Sequence, residues 1–294
     1  QKLYEDENID PGTVSWMGKT YQLKPQDRYY AILLMDGDRI GRLVNGDTIA
    51  ATWSSVIHPQ LKERLERKSF DAAYQKPWQS IFREGLKRSL TPALHAAISE
   101  SLGDFSLYGV APIVQQNDGT LIYAGGDDVC AVLPMKTALS AAQAISAYYN
   151  GFFKLITMNS HSYHSQVIGG SDEAWSPPPG KLSVNFGKEQ DISISAGILV
   201  CHHKESLAQM IRRAHTLLDE QAKQKAGRNA CAIELRKRSG GSRYFVRKWD
   251  DHTIWSDFFE LGHSIKGKKE DQAWISSSLV YRLESIRSDR KSVV

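Results

Sequence analysis

The sequence predicts an α+β domain of ferredoxin-like order, βαββαβ with an extra helix inserted, followed by a small helical unit. Three observations carry that expectation. Tyr29 to Asp36 is a nearly unbroken apolar run, apolar on both faces as a central strand must be, and it ends abruptly in Asp36-Gly37-Asp38. Two further apolar runs flank Gly125-Gly126-Asp127-Asp128, a tight hairpin in which the glycines supply positive φ and the carboxylates stand at the tip. Around these, the periodicities follow the order strand, two helices, hairpin, helix, strand, helix, strand.

The elements follow in chain order. Residues 1–28 carry scattered charge with Pro11, Gly18 and Pro25, and read as a leader or linker with room for one short hairpin. The α+β domain is expected over 29–241. Within it, Thr48 to Lys68 is helical in pattern but broken at His58-Pro59, where proline removes a backbone donor. Trp78 to Leu102 reads as a second helix with Ile81, Leu86, Leu90, Leu94 and Ile98 as its apolar stripe. Asn117-Asp118-Gly119 is a turn leading into the acidic hairpin. Thr137 is placed to cap the next helix, whose inner face is Leu139, Ala142, Ile145, Tyr149 and Phe152.

From Asn159 to Gln190 the chain is rich in Ser, Gly and Pro, including Ser176-Pro177-Pro178-Pro179-Gly180, and an inserted loop is expected over about 159–190. Asp191 to Cys201 alternates: Ile192, Ile194, Ala196, Ile198 and Val200 point one way, and Ser193, Ser195 and Gly197 the other. It reads as a half-buried strand with one small-residue face. Ser206 opens a helix lined by Leu207, Ile211, Ala214 and Leu218, and Gly227 is placed to end it in the left-handed conformation. Ala230 to Leu235 is a final strand, and Gly240-Gly241 marks a boundary. Residues 242–294 turn aromatic and basic, with helical periodicity in Ile254 to Leu261 and Leu279 to Ile286. A helical C-terminal domain, incomplete in this sequence, is expected there.

Composition narrows the function classes. At 294 residues the chain can bury one large core, and no run is long enough to span a membrane or to serve as an apolar signal segment, so the expected location is cytoplasmic, with no membrane partner. The sequence opens Gln1-Lys2 without an initiator methionine, as a piece cut from a longer chain does. A formal charge of +4 is too small to establish nucleic-acid binding. The basic residues cluster late, at Arg236-Lys237-Arg238, Arg243, Arg247-Lys248, Lys266 and Lys268-Lys269, and serve either as a solvated face or as contacts to RNA or a triphosphate. Cys130, Cys201 and Cys231 lack the paired spacing of a zinc site or disulfide framework and read as core residues.

The chemistry concentrates in the acids. Asp36, Asp127 and Asp128 bring hard oxygen ligands of the kind Mg²⁺ (or Mn²⁺) takes together with substrate phosphates. Two such ions suit phosphoryl transfer from a nucleoside triphosphate. Asp38 either supports that cluster or caps the next helix. The Gly37 carbonyl, or amides near it, can approach a metal or phosphate closely, and Gly125 and Gly126 belong to the same nucleotide-facing turn. Lys223, Lys225 and Arg228 either complement a helix dipole or grip triphosphate oxygens. His161 and His164 have a spacing a metal accepts on a helix, but lie in the expected loop and are read against a site.

Met35-Asp36-Gly37-Asp38-Arg39-Ile40-Gly41, Leu121-Ile122-Tyr123-Ala124-Gly125-Gly126-Asp127-Asp128-Val129, Ser195-Ala196-Gly197-Ile198, and Lys223 with Gly227-Arg228-Asn229-Ala230 occur in one order. Together they resemble the second palm domain of the large subunit of type III CRISPR effector complexes, subtype III-B in particular. The resemblance covers roughly Tyr29 to Gly241 and continues loosely into the helical C-terminal domain. It implies a cyclic oligoadenylate synthetase switched on by target RNA, using ATP and divalent metal, with a 3′-hydroxyl attacking the α-phosphate of the next ATP. Asp36 and Asp127 would be the main metal ligands, Asp128 the second carboxylate of the pair, and the Gly37 carbonyl an accessory ligand. Lys223 or Lys225, with Arg228, would hold phosphates. The implied partners are the other subunits of the complex, CRISPR RNA, target RNA and ATP. The nuclease-like HD domain, first palm and zinc-binding segment usual in that family are not seen here. Two ATP molecules in the family lie between paired palms, so this chain alone is expected to make little or no product. Diguanylate cyclases share the layout but carry Glu-Phe after the two glycines and one acid, where this chain has Asp128-Val129. A non-catalytic scaffold or RNA-contacting subunit is the remaining alternative, and the intact acid set argues against it.

Overall fold

The computed structural model describes residues 28–49, 86–159, 192–238 and 241–266, with shorter stretches at 13–16, 19–22, 52–53, 57–66, 72–82, 162–164 and 187–188. Six strands build the central sheet: β1 Tyr29–Gly37, β2 Thr120–Gly125, β3 Asp128–Pro134, β4 Ile194–His202, β5 Ala230–Arg236 and β6 Ser242–Lys248. Their order is β6-β5-β4-β1-β3-β2. β1 lies antiparallel to both β3 and β4, β4 and β5 are parallel, and β2–β3 and β5–β6 are antiparallel hairpins. The β4-β1-β3-β2 portion is the ferredoxin-like arrangement that the element order predicts.

Three helices matter to the site, and a fourth belongs to the C-terminal unit. α1, Pro92–Asp104, continues through a π-helical stretch Phe105–Val110 into Ala111–Gln116. α2 is Ala138–Phe153, α3 is Leu207–Thr216 and runs on as a π-helical stretch Leu217–Lys225, and α4 is His252–Lys266. α3 and its continuation cover one face of the sheet, where Ile32, Leu34, Leu199, Cys201, Ala230 and Ala232 meet Met210, Ala214, Leu217, Leu218 and Ala222. The alternate residues Ala31, Leu33 and Met35 are equally buried, on the side where α2 lies against β1 and β4. Each fully buried Ile, Leu or Met side chain here contributes about 2 kcal/mol of transfer free energy.

Several expectations are corrected. β4 is buried along its whole length, not half-buried. Its small residues face a helix instead of water: a Cβ on Gly197 would stand 2.9 Å from the Leu218 backbone nitrogen and 3.0 Å from the Ala214 carbonyl oxygen. The expected helix from Trp78 to Leu102 is two helices, Ala72–Phe82 and α1. Thr91 caps α1, its Oγ1 accepting from the Leu94 N–H, with Pro92 in the first turn, so Leu86 and Leu90 lie outside the stripe. Before the break at Pro59, Trp53 is helical, its carbonyl accepting from the Ile57 N–H (3.2 Å), while its own N–H donates to the Leu86 carbonyl (3.2 Å) and Thr52 bridges to Lys87. Proline opens the helix Pro59–Glu66. Thr137 stands at the head of α2, its carbonyl accepting from the Ala141 N–H (2.9 Å), and its hydroxyl donates to the Asn117 carbonyl (2.7 Å), tying the Asn117–Gly119 turn to that helix.

Parts of the expected loop are strands. Ser162–His164, Lys154–Asn159 and Gly187–Lys188 form a small three-stranded sheet in that spatial order. The Ser176–Gly180 run and His161 lie outside the described residues. The expected leader contains the antiparallel hairpin Thr13–Trp16 and Lys19–Gln22. At the other end Gly241, with φ 78°, belongs to a hairpin turn that returns the chain as β6, so the sheet runs on past the glycine pair. The chain divides into two compact units, Gln1–Lys248 and Trp249–Val294. In the second, α4 covers the expected Ile254–Leu261 helix, and Trp255 stacks on Trp249 with ring centroids 5.6 Å apart. The Leu279–Ile286 segment lies outside the described residues. No described helix is long and apolar enough to cross a membrane.

Candidate active site

The site forms where β1 ends beside the β2–β3 hairpin. Pairing of Met35 with Val129 and of Gly125 with Asp128 sets the end of β1 next to the hairpin tip. Gly126 turns the hairpin with φ 69°; Gly125 does not need positive φ, and its bare Cα accommodates the Tyr123 hydroxyl instead. Carboxylate oxygens of Asp36, Asp127 and Asp128 consequently lie within 4.8 Å of one another. Gly37 allows this approach. A Cβ there would meet the Asp127 Cβ at 2.8 Å and the Tyr149 hydroxyl at 2.9 Å.

The electrostatics of the cluster follow from its partial burial. Burial pushes the Asp127 carboxyl up, the like charge of Asp128 adds to that, and the backbone amides of Asp127 and Gly37, donating to it, work the other way. Beneath it, Tyr149 is 1% exposed on α2. Burial, then the charges of Asp127 and Asp38, push its phenol up, so it stays protonated. From the opposite side the Lys223 ammonium contacts the Asp36 carboxylate. Burial, then the neighbouring Arg228 guanidinium, push Lys223 down to about 8, a shift the Asp36 charge opposes.

Lys223 reaches the site because of the wide turns around it. Met210, Ala214, Leu217, Leu218 and Ala222 face the sheet while Leu207, expected inside, is 54% exposed, and the helix then runs on through the π-helical stretch Leu217–Lys225 that carries Lys223. Lys225 ends the stretch exposed. Gly227, Arg228 and Asn229 follow with φ of 78°, 68° and 49°, so the left-handed exit expected at Gly227 extends over three residues. The Arg228 N–H donates to the Ala222 carbonyl (3.1 Å) and closes the helix end.

Asp38 caps nothing: the short helix Ile40–Val44 is preceded by Arg39. Asp38 is 3% exposed, and its carboxylate accepts from Ser193 Oγ (2.7 Å), Ser195 Oγ (2.8 Å) and the Asn229 N–H (2.9 Å). The sequence offers the signal for this arrangement, since Ser193 and Ser195 alternate onto one face of β4. Their distant partner is not legible there. Tyr149 also reads only as core, because nothing local shows that its hydroxyl lies under Gly37. A second π-helical stretch, Phe105–Val110, backs the hairpin, with the Ser106 hydroxyl donating to the Gly126 carbonyl (3.3 Å).

The donor set fits hard divalent cations: three carboxylates within reach of one ion, one of them destabilised as an anion by its surroundings. A ferredoxin-like sheet carrying such a cluster at a strand end and hairpin tip, with a cationic helix end facing it, defines a palm of the nucleotidyltransferase type. A family model described as Cas10/Cmr2, second palm domain, matches residues 29–169 and 181–232, and the chain belongs to that family. The CRISPR system Cmr subunit Cmr2 of Pyrococcus furiosus is 32% identical over 246 residues, which are 83% of this chain and 23% of that protein. The chain therefore spans about a quarter of the length of this curated relative. Among solved structures it is similar to a type III-B Cmr-beta complex in the apo state, with TM-score 0.51 and 18% identity over 89% of this chain and 32% of the other. The same holds for the Cmr-beta complex bound to cognate target RNA, with TM-score 0.50 and 16% identity over 88% of this chain and 32% of that one. At these identities the likeness speaks for the fold.

Proposed function

We propose that the chain is the nucleotide-joining palm of a type III CRISPR effector large subunit, which makes cyclic oligoadenylate from ATP when the assembled complex binds target RNA. The observation that carries this reading is the convergence of Asp36, Asp127 and Asp128 opposite Lys223. Family membership supports it. Partners are the other subunits of the complex with CRISPR RNA and target RNA, and the substrate is ATP.

In this reading Asp36, Asp127 and Asp128 hold two Mg²⁺ or Mn²⁺ ions, with the Gly37 carbonyl as an accessory ligand. When bound, these ions polarise the α-phosphate and favour ionisation of the attacking hydroxyl. Lys223 and Arg228 draw the triphosphate to the helix end and offset the charge of the departing pyrophosphate. Gly126, where an added Cβ would meet nothing within 4 Å, leaves room for the nucleotide against the hairpin backbone, while Gly125 takes part through its backbone. The 3′-hydroxyl gives its proton to solvent, its oxygen forms a bond to the α-phosphorus while the bond from that phosphorus to the α–β bridging oxygen breaks, and pyrophosphate leaves with that electron pair. Lys225, exposed at the helix end, is not assigned to this step.

The test is the complete effector with ATP, Mg²⁺ and target RNA. Cyclic oligoadenylates are expected, and they should vanish with Asp127→Ala/Asp128→Ala. Unchanged product from that variant would overturn the reading.

A further inference from the structure

We propose that Asp38 is a positioning residue for triphosphate binding: a buried strut that sets the distance between the acid cluster and the cationic helix end. It touches neither metal nor nucleotide. Its role presupposes that the acids and Lys223 hold a nucleoside triphosphate.

Asp38 is unsuited to be a ligand. At 3% exposure its Oδ2 takes Ser193 Oγ at 2.7 Å, Ser195 Oγ at 3.0 Å and the Asn229 N–H at 2.9 Å, while Oδ1 takes Ser195 Oγ at 2.8 Å. Its own N–H donates to the Ser193 carbonyl at 2.8 Å. One side chain thus ties the end of β1, the start of β4 and the turn after the π-helical stretch.

That turn needs a tie. Arg228 and Asn229 both adopt positive φ, at 68° and 49°; asparagine tolerates that conformation, but arginine holds it only where the surroundings enforce it. The Asp38 carboxylate on the Asn229 N–H is such an enforcement, because it is a charge-assisted bond in a buried setting. The constraint then passes inward: the Arg228 N–H closes on the Ala222 carbonyl, and Ala222 adjoins Lys223, whose ammonium meets Asp36. Asp36 and Asp38 leave the same strand end, one toward the open cluster and the other into the strut. The strand end that places the acids therefore also fixes the cations that face them. Without the strut, the turn relaxes toward negative φ and carries Arg228 and Lys223 off the line of the phosphates.

The experiment compares the full chain, wild type and Asp38→Asn, in three titrations: ATP with Mg²⁺, AMP with Mg²⁺, and Mn²⁺ alone followed by electron paramagnetic resonance. Asp38→Asn preserves shape but sets an amide donor against donors. It should weaken ATP about tenfold, as loss of a group that orients a binding residue does, and AMP and Mn²⁺ by less than about twofold. The Asn229 amide, which donates to Asp38, should exchange hydrogen slowly in the wild type and faster in Asp38→Asn. Ser193→Ala, which removes one donor and leaves β4 intact, should show the same ATP-selective loss at about threefold if Asp38→Asn does not fold. Equal losses for ATP and AMP, or a fall in Mn²⁺ affinity as large as that in ATP, would overturn the strut's role. A wild-type chain that binds Mn²⁺ but shows no preference for ATP over AMP would overturn the triphosphate reading and the strut together.

Discussion

Two acid regions meet at one end of β1 and are treated in opposite ways. Around Asp38 every carboxylate oxygen is engaged by a hydroxyl or an amide, and water is shut out. Around Asp36, Asp127 and Asp128 the acids are left partly exposed, close to one another, and balanced by a lysine that is itself destabilised as a cation. The sealed region holds strand ends together. The open one retains unneutralised charge that a divalent cation relieves. A fold selected only for stability would seal both, because clustered carboxylates repel and the burial of Asp127 adds to the cost.

Substitutions can break that contrast, and the largest effect is expected on chemistry in the open region. Asp127→Ala/Asp128→Ala should lower product formation by the assembled effector by about a hundredfold or more and abolish Mn²⁺ binding, while the unfolding free energy stays level or rises as repulsion is relieved. In the sealed region the sign on stability reverses. Asp38→Ala leaves two hydroxyls and an amide without their acceptor and should cost about 3 kcal/mol in denaturant unfolding, with Mn²⁺ affinity of the folded fraction retained.

Gly37→Ala sharpens the contrast by touching both sides. The added Cβ has no room beside Asp127 and Tyr149, so the hairpin must shift, at a cost of about 1–3 kcal/mol and with loss of Mn²⁺ affinity. Arg213→Ala is a control far from the acids. It strands Glu234, which is 1% exposed and bonded to Arg213 Nε at 2.8 Å, and should cost about 2 kcal/mol without changing metal binding.

The smallest effect concerns His202, at the other end of β4. Burial and then the charges of His203, Arg238, Arg28 and Lys204 hold it below its usual 6.5, and its Nδ1 accepts from the Lys204 N–H at 3.2 Å, which requires the neutral ring. The unfolded chain therefore binds the proton more readily than the folded one. This contribution is present above 6.5 and lost as pH falls through the lower folded value. Melting temperature should decline slightly over that window, and His202→Gln should flatten the decline.

How much of this was legible in the sequence depends on whether the partner is local. β1, the hairpin and its acids are written as unbroken apolar runs that end in Asp and Gly, so the fold class and the cluster read directly. β4 did not read as fully buried because Ser193 and Ser195 look like a wet face; their hydroxyls are engaged by Asp38, far away in sequence. The choice between Lys223 and Lys225 was illegible for another reason. A stripe started at Leu207 sets the wrong residue inside, since Met210 holds the buried position, and regular spacing leaves the lysines ambiguous where π-helical turns carry Lys223 to Asp36. The same applies behind the hairpin, where Phe105–Val110 is π-helical and packs Phe105 edge-on to Tyr149 with ring centroids 5.2 Å apart.

A crystal of the chain grown with Mn²⁺ and a non-hydrolysable ATP analogue tests the central claim most directly, through the anomalous signal of the metal. Manganese should appear between Asp36, Asp127 and Asp128, with the triphosphate lying toward Lys223. Strong manganese peaks elsewhere, with the three carboxylates bare while the analogue is bound, would contradict it.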